Sequence, residues 1–347
     1  MTPVLECKNV SKKIKNFSLE GIDFALEPGY ILGVIGENGA GKSTLMQLIL
    51  GGYQLDGLNT REWKKKHSME MSSNSVDDAM GDIAVAGYSL RFHSNEAKQH
   101  LAFVLQDCPF ARAMTALENG KLYGESYNTW NQQRFEGCCK EFGIPMSKPL
   151  YKFSKGQQVM FQLAFSLSYD ASVYILDEPC GYLDLQTRQK VLSVMQELVE
   201  TGRKSIVYVT HQLEDLDQIG DYILWLDKGK QVLYGQKEEI LDEYRIINAT
   251  EKQLRYIEQT APGRLLVQQI RPHSCEAFIR KGEPLPLRVE MHTPTLEELL
   301  YYYNQYREQP KETSAVAIST FQSAGVEEKG KKSADALDER KYYESPY

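Results

Sequence analysis

Two kinds of hydrophobic pattern alternate along the first two thirds of the chain. The segments "VLECKNVSK" and "FSLEGIDFAL" mix apolar and polar positions, as half-buried strands do, and lead into a turn at Pro28-Gly29. By contrast, "YILGVIG", "SVYILDEP" and "SIVYVTH" hold short apolar runs, which are typical of buried strands. Strand patterns recur at "DIAVAGYSL" and "HLAFVLQD", and "DYILWLDKGKQVLYG" predicts a closing hairpin. After Gly235 the character of the chain changes.

Helical patterns fill the spaces between these strands. "LMQLILGGY" continues a glycine-rich loop with helical spacing, residues 109–170 are mostly helical in pattern, and "LQTRQKVLSVMQELVETG" separates two buried strands. Beyond Gly235, "EEILDEYRIINATEKQLRYIE" predicts a helix, and "RLLVQQI" and "LRVEM" predict strands. "TPTLEELLYYYNQYRE" predicts one more helix, with Thr293 or Thr295 as its cap.

Two segments are polar and carry no clear period. Residues 58–80 include Lys64-Lys65-Lys66 among several serines and aspartates, so we expect a surface insertion there. From about residue 309 to residue 347 the chain is polar and aperiodic, which predicts a disordered tail.

Composition narrows the class of protein. The 347 residues, 42% of them apolar, are enough for one large or two modest domains. A net charge of −7 argues against bulk electrostatic binding of nucleic acid. Since no apolar run approaches the roughly 20 residues that span a bilayer, and "MTPVLECKNVSKK" lacks a signal-peptide core, we expect a cytosolic chain. The six cysteines include no C-x-x-C pair, so reduced thiols are expected.

The segment "GENGAGKST" is the most specific motif in the chain. It matches G-x-x-x-x-G-K-[ST] between a predicted strand and a predicted helix, the context in which backbone N–H groups close around phosphates. Lys42 is expected to reach the β- and γ-phosphates, Ser43 to hold Mg²⁺, and Thr44 to contact the α-phosphate. The loop residues expected to bind nucleotide are Gly36, Glu37, Asn38, Gly39, Ala40 and Gly41.

Polar side chains that suit a phosphate site end three other strands. Asp177 and Glu178 close "VYILDEP", where two buried carboxylates need a balancing cation. Asp177 is expected to reach Mg²⁺, and Glu178 to polarise the attacking water. His211 ends "IVYVTH" and is expected to touch the γ-phosphate and orient Glu178. Gln106 ends "FVLQD" and is expected to sense the metal and the attacking water.

The segment "FSKGQ" predicts a second candidate anion site, at the start of a helix. Ser154 precedes an apolar helix, so its hydroxyl and the free N–H groups of the first turn predict an anion site formed with Lys155, Gly156 and Gln157.

Together these motifs resemble the ATP-binding cassette (ABC) transporter ATPase family. In order, "GENGAGKST" resembles its Walker A motif, Gln106 its Q-loop, "FSKGQ" its signature, "YILDEP" its Walker B motif, "GYLD" its D-loop and "VTH" its H-loop. The resemblance implies an α/β fold: a P-loop NTPase (RecA-like) core, an antiparallel β subdomain, an α-helical signature subdomain and a small C-terminal α+β extension. The implied domain boundaries are an ATPase domain at 1–238, with its helical part at about 108–170, an accessory region at 239–308 and the tail at 309–347.

The resemblance also implies partners and further roles. Two cassettes would close head to tail, so that Ser154, Lys155, Gly156 and Gln157 meet the partner's ATP and Asp184 lies at the interface. Lys155 stands where the family usually has glycine. Ile14 stands at the usual adenine-stacking position, which leaves two alternatives: Phe17 stacks on the adenine, or apolar contact alone holds it. ATP, Mg²⁺, a second ABC ATPase subunit and a separate membrane permease are implied, with no nucleic acid partner. The chain is expected on the cytoplasmic face of the membrane, powering export of a peptide, lipid or drug-like substrate.

Two other functions compete with transport. The first is a soluble mechanical ATPase for DNA repair or translation, although no long coiled coil, zinc module or second cassette is visible. The second is a non-hydrolysing regulatory cassette, against which the presence of Lys42, Gln106, Glu178 and His211 argues.

Overall fold

Continuous apolar runs become the buried strands of a large sheet, because only apolar residues suit a strand that is covered on both faces. The structure is a computed structural model that describes residues 2–56, 81–181, 183–270, 275–283, 285 and 288–308. The predicted insertion at 58–80 and the predicted tail from residue 309 lie outside the described residues. The chain divides into two compact units between Gln231 and Val232.

Strands and helices follow the predicted order through most of the chain. Within the described residues, the strands are β1 Leu5–Ile14, β2 Phe17–Leu26, β3 Ile31–Ile35, β4 Asp82–Val85, β5 Tyr88–Ser89, β6 Leu101–Val104, β7 Val173–Asp177, β8 Ser205–Val209, β9 Tyr222–Asp227, β10 Lys230–Gln236, β11 Tyr244–Ala249, β12 Leu265–Ile270, β13 Cys275–Arg280 and β14 Glu290–His292. The helices are α1 Lys42–Ile49, α2 Ser94–Gln99, α3 Ala116–Gly124, α4 Gln132–Glu141, α5 Lys155–Ser166, α6 Leu185–Glu200, α7 Leu213–Ile219, α8 Lys237–Asp242, α9 Glu251–Thr260 and α10 Leu296–Glu308, with a 3-10 turn at Leu150–Lys152.

The core strands of the first unit are parallel. The sheet order is β5-β4-β1-β2-β10-β9-β3-β8-β7-β6, and β3–β8, β8–β7 and β7–β6 each pair in parallel. Because these four strands run in one direction, the residues that follow them lie along one edge of the sheet, where parallel α/β folds bind ligands. The glycine-rich loop, Gln106, Asp177 and His211 all follow or end these strands.

An antiparallel group completes one side of the same sheet. β1 pairs with β2 from Leu5 opposite Leu26 to Ile14 opposite Phe17, and β4 pairs along the other side of β1. The hairpin therefore places Ile14 and Phe17 side by side. This group is the antiparallel β part that the family resemblance implied.

Helices α3, α4 and α5 form the predicted helical region of the first unit. Buried aromatic rings hold them together: Phe110 meets Phe161 and Phe165 edge to face, with ring centroids 5.0 and 4.7 Å apart. α3 and α5 each begin with a capping box, at Thr115 and Ser154. The prediction of helices between residues 109 and 170 is confirmed.

One predicted helix of the second unit is wrong. The segment "EEILDEYRIINATEKQLRYIE" holds two short helices, α8 and α9, separated by strand β11. The β-branched Ile246 and Ile247 suit a strand, which is paired on both sides by β13 and β14. Thr250 then starts a new helix with a capping box to Gln253. Neighbouring strands, which are distant in sequence, decide this structure.

The second unit is a small α+β layer structure. Its sheet has the order β12-β13-β11-β14, and one face packs on Leu254 and Ile257 of α9. On another part of the sheet, Phe278 stacks between the rings of Tyr244 and Tyr302, with centroids 4.9 and 5.3 Å away. Strand β13 had no counterpart among the predicted strands, and the strand predicted at "LRVEM" is the short β14. α10 begins at the predicted cap Thr295, whose hydroxyl accepts from the Glu298 N–H at 3.2 Å.

Among the helices that the structure describes, none is both long enough and apolar enough to cross a bilayer.

Candidate nucleotide-binding site

The loop between β3 and α1 has a backbone that only glycine adopts easily. Gly36 has φ +147° and Gly41 has φ +112°. A Cβ atom on Gly36 would lie 2.2 Å from the carbonyl oxygen of Leu226, and one on Gly41 would lie 2.8 Å from the Leu19 Cδ1 atom. The two glycines therefore allow the tight turn that directs backbone N–H groups into the loop.

Lys42 folds back over this loop. Its Nζ atom donates to the carbonyl oxygens of Gly36 and Glu37, at 2.6 and 3.1 Å. Burial lowers the pKa of the Lys42 ammonium, while Glu178 and Asp177 oppose that shift. The ammonium group thus lies over the glycine-rich loop, where a positive charge suits an anionic ligand.

A cleft of about 700 Å³ brings most of the predicted site residues together. Its predicted lining residues are Asn38, Gly39, Gly41, Lys42, Ser43, Thr44, Gln106, Asp177, Glu178 and His211. Gly36, Glu37 and Ala40 belong to the same loop. The alternatives for the adenine contact, Ile14 and Phe17, both line the cleft. The parallel sheet has therefore collected residues from four strand ends into one site.

The Asp177 carboxyl is poised for a cation. Burial, and secondly the nearby Glu178 charge, raise the pKa of Asp177 to about 6, against the opposing effect of Lys42. Asp177, the Ser43 hydroxyl and Gln106 line the same cleft and offer the oxygen atoms that Mg²⁺ prefers. A divalent cation would offset the crowded carboxylates, so these residues fit the metal that was predicted.

We expect Asp177→Asn to stabilise the nucleotide-free protein at alkaline pH. The folded-state pKa of Asp177 is raised above its unfolded value, so ionisation costs stability as pH rises through about 6. After allowance for partial solvent exposure, the variant should gain about 1–2 kcal/mol in free energy of unfolding at about pH 8, and the gain should shrink at about pH 4.

Urea unfolding in EDTA at both pH values measures this difference. Asp170→Asn is the matched control, because the Asp170 side chain is 77% exposed and precedes the opposite end of β7. An equal gain at both pH values would contradict the electrostatic origin of the effect.

Glu178 is held by the segment that follows β8. Its Oε1 atom accepts from the backbone N–H of His211 at 2.8 Å and lies 2.7 Å from Nδ1 of the His211 ring. Its Oε2 atom accepts from the Thr210 hydroxyl at 3.1 Å. Glu178 itself has φ +47°, an uncommon value for a residue with a side chain. The carboxylate is therefore oriented by the backbone conformation of Glu178 itself and by Thr210 and His211, which directly follow β8.

The residues of "FSKGQ" lie outside the lining of this cleft. Ser154 caps α5: its Oγ atom accepts from Gln157 N–H at 3.2 Å, and Gln157 Oε1 accepts from Ser154 N–H at 3.1 Å. Lys155 Nζ is 3.9 Å from an Asp107 carboxylate oxygen. A Cβ atom on Gly156 would lie 3.3 Å from Leu183. These residues form a second group at a helix start, in which Ser154 and Lys155 are exposed and Gly156 and Gln157 are half-buried.

Asp184 also begins a helix. Its carboxylate accepts from the Thr187 N–H at 3.0 Å and from the Thr187 hydroxyl at 2.7 Å. These hydrogen bonds lower the pKa of Asp184. Asp184 therefore caps α6 within this chain.

The sequence comparison identifies the family of this domain. Residues 19–181 match the sequence model described as ABC transporter. This chain therefore contains an ABC transporter domain over these residues. The matched segment contains the Walker A, signature and Walker B motifs, which the fold places as described above.

Relatives of the ABC domain carry different transport names. A ribose import ATP-binding protein of Oceanobacillus iheyensis is 32% identical over 65% of this chain and 43% of its own length. A linearmycin resistance ATP-binding protein of Bacillus subtilis is 27% identical over 68% of this chain and 70% of its own length. This chain thus spans less than half the length of the ribose import relative.

Solved structures share the fold of the ABC domain. The ATP-binding subunit of an ABC transporter superposes with a TM-score of 0.58 at 23% identity, covering 68% of this chain and 91% of that one. A dimeric ATP-binding cassette in a post-hydrolysis state, bound to ADP and phosphate, superposes with a TM-score of 0.55 at 20% identity, covering 67% and 98%.

Tyr53 and Thr210 are among the residues of the site that were not predicted from the sequence. Tyr53 lines the cleft from the segment after α1, and Thr210 holds Glu178. Thr210 directly precedes His211 in "VTH", and this position next to a predicted site residue could have identified it from the sequence. Tyr53 had none, because only the folded chain brings it to the cleft.

Proposed function

We propose that this chain is the ATP-binding and ATP-hydrolysing subunit of an ABC transporter. The observation that carries the proposal is the Glu178 carboxylate, oriented by Thr210 and His211 in the same cleft as Lys42 and Asp177. ATP hydrolysis needs this combination of phosphate binding, charge neutralisation and a positioned base. Phosphate release from ATP by the purified chain, with Mg²⁺ and with EDTA, tests it.

Phosphate binding falls to the loop and the start of α1. Lys42 exchanges its two carbonyl partners for β- and γ-phosphate oxygens, and Thr44 and the loop N–H groups contact the remaining oxygens. Ser43, Gln106 and Asp177 would hold Mg²⁺, which supplies neutralising charge when it is bound. Phe17 or Ile14 would contact the adenine.

Hydrolysis falls to the groups at the ends of β6, β7 and β8. Glu178 accepts a proton from the attacking water as general base. Its backbone conformation, with φ +47°, fixes the position of the carboxylate. His211 orients Glu178 and reaches toward the γ-phosphate. Gln106 orients the water. These roles need no group outside the cleft except the partner's signature.

A second cassette would complete the site. Ser154, Lys155, Gly156 and Gln157 lie at an exposed helix start, where backbone N–H groups and the helix dipole favour an anion. In a head-to-tail dimer that anion is the partner's γ-phosphate, and Asp184 lies at the interface. The exposed Lys155 adds a positive charge beside the same anion.

We expect Ser154→Ala to lose about tenfold in ATP turnover while Thr115→Ala loses less than twofold. Both residues start helices of one subdomain with equivalent capping boxes, so each variant should lose about 1 kcal/mol of stability. Only Ser154 is proposed to meet the partner's phosphate. Steady-state ATPase rates and urea midpoints on both variants measure the difference, and equal turnover in the two would contradict the composite site.

A separate membrane permease would be the second partner. We assign residues 1–238 to the ATPase domain, with the helical part at about 108–170 as the surface that meets the permease on the cytoplasmic face of the membrane. Residues 239–308 form an accessory region. Detergent extraction of native membranes with a tagged full chain should recover a multi-span protein, and consistent recovery of the chain alone would contradict this assignment.

The proposed direction is export of a peptide, lipid or drug-like substrate. The relative named for linearmycin resistance supports it, and the relatives named for ribose import support the opposite direction. Uptake of ribose and resistance to added antibiotics, compared between a strain with the chain and one without it, separate the two.

A further inference from the structure

Four side chains close in sequence to the proposed catalytic groups have no role in the proposed mechanism, and three of them are buried while Arg188 is half-buried. They are Cys180, Arg188, Tyr208 and Asp215. Tyr208 lies three residues before His211 and Asp215 lies four residues after it. Arg188 lies four residues after Asp184, and Cys180 lies two residues after Glu178.

A network of hydrogen bonds connects three of these side chains. The Tyr208 hydroxyl donates to Asp215 Oδ2 at 2.5 Å. Arg188 donates from Nε to Asp215 Oδ1 at 2.8 Å, and its terminal nitrogen lies 2.7 Å from the same oxygen. Asp215 is 1% exposed and Tyr208 is 0% exposed. A carboxylate this deeply buried needs all of these donors, so the network has little freedom to rearrange.

The Tyr208–Asp215 hydrogen bond links the two residues that flank the Thr210–His211 segment in sequence. Tyr208 is in β8 and Asp215 is in α7, so the bond joins the two elements that flank the segment. Between them, the Thr210 hydroxyl and two His211 nitrogens bind the Glu178 carboxylate. His211 is itself exposed, with 69% of its side chain accessible.

Arg188 links a third element, α6, to Asp215. It lies in the first turn of α6, the helix that Asp184 caps. Through Asp215, the start of α6 is thereby joined to both elements that flank His211. A shift of the segment at Asp184 would be passed to the Glu178–His211 pair through the Arg188–Asp215 ion pair, whose carboxylate is buried.

We infer that Tyr208 and Asp215 are positioning residues for ATP hydrolysis, which hold Thr210 and His211 in place against Glu178, and that Arg188 couples this arrangement to Asp184. The inference rests on the proposed hydrolysis by Glu178. It assigns no direct contact with ATP to any of the three residues.

The test compares Tyr208→Phe with Tyr174→Phe in the full-length chain. Tyr174 is also a fully buried tyrosine, on the neighbouring strand β7, and its hydroxyl accepts from Lys204 Nζ at 3.3 Å. Each variant loses one hydroxyl group and one hydrogen bond and keeps the ring. Both variants should lose melting temperature, and Tyr208→Phe should lose more, because it takes a donor from the buried Asp215 carboxylate.

Only Tyr208→Phe should lose kcat. We expect about a tenfold fall, since a small misplacement of a catalytic group costs up to about 100-fold. The dissociation constant for ATP, measured with the hydrolysis-resistant ATP analogue AMP-PNP, should stay within about twofold because the phosphate loop is untouched. The ring nitrogen NMR signals of His211 should shift in Tyr208→Phe and stay in place in Tyr174→Phe.

The outcomes distinguish failure of the proposed ATPase function from failure of the proposed positioning role. A wild-type chain that does not hydrolyse ATP overturns the proposed function. A wild-type chain that hydrolyses ATP, together with equal kcat values for the two variants, overturns the positioning role alone. A loss confined to nucleotide affinity also overturns it. If Tyr208→Phe does not fold, Asp215→Asn replaces it under the same criteria.

Discussion

Glu178→Gln should abolish ATP turnover, with kcat falling by about 100-fold to 10,000-fold, while ATP binding is retained. Glutamine keeps the size of the side chain and can still accept hydrogen bonds from Thr210 and His211, but it cannot take a proton from water. Blocked hydrolysis should also hold the proposed dimer closed, so the variant should elute as a dimer with ATP and Mg²⁺.

Phosphate release and light scattering after size exclusion measure these two effects. Glu96→Gln, an exposed residue of α2, is the matched control and should keep turnover within about twofold. Hydrolysis that continues unchanged in Glu178→Gln would favour a regulatory cassette, whose partner supplies the catalysis. A variant that stays monomeric beside an active wild type would point to a different cassette as the partner.

The second large effect is expected at Lys42. Lys42→Met should weaken ATP binding by about 100-fold, because the ammonium group is lost from the loop and charge-assisted hydrogen bonds contribute about 1.5–3 kcal/mol each. The Gly36 and Glu37 carbonyl oxygens that Lys42 occupies would also lose a donor. Titration with a fluorescent ATP analogue measures the affinity.

Lys204→Met is the matched control for this substitution. Burial lowers the pKa of Lys204 as it does that of Lys42, but Lys204 precedes β8 at the end of the strand away from the cleft. The control should bind ATP as the wild type does. Similar losses of affinity in both variants would indicate general destabilisation, and an unchanged affinity in Lys42→Met would remove Lys42 from the phosphate site.

The motifs of the first unit were predictable because each is local. A phosphate loop needs Gly36 and Gly41 at a fixed spacing before Lys42, so six consecutive positions carry its geometry. The ends of apolar strands were equally readable, and their parallel arrangement brings Gln106, Asp177 and His211 to one edge. The roles proposed for these residues stay predictions until the variants are measured.

The second unit was less predictable because its strands depend on distant partners. Residues 244–249 follow a helix and precede another, and their polarity suits a longer helix as well. Pairing with β13 and β14, which lie about 30 and 45 residues further along the chain, makes this segment a strand. The secondary-structure propensity of residues 244–249 alone does not reveal these distant pairing partners.

The sequence by itself determined the ABC motifs, the buried strands and the helix starts, since each depends on the chemistry and spacing of residues that are close together. Tertiary structure alone decided that Glu178 meets Thr210 and His211, that Tyr208 and Asp215 close the chain around them, and that Tyr53 reaches the cleft. Those contacts arise when separate strands and helices pack, and their distances depend on the whole fold rather than on any one segment.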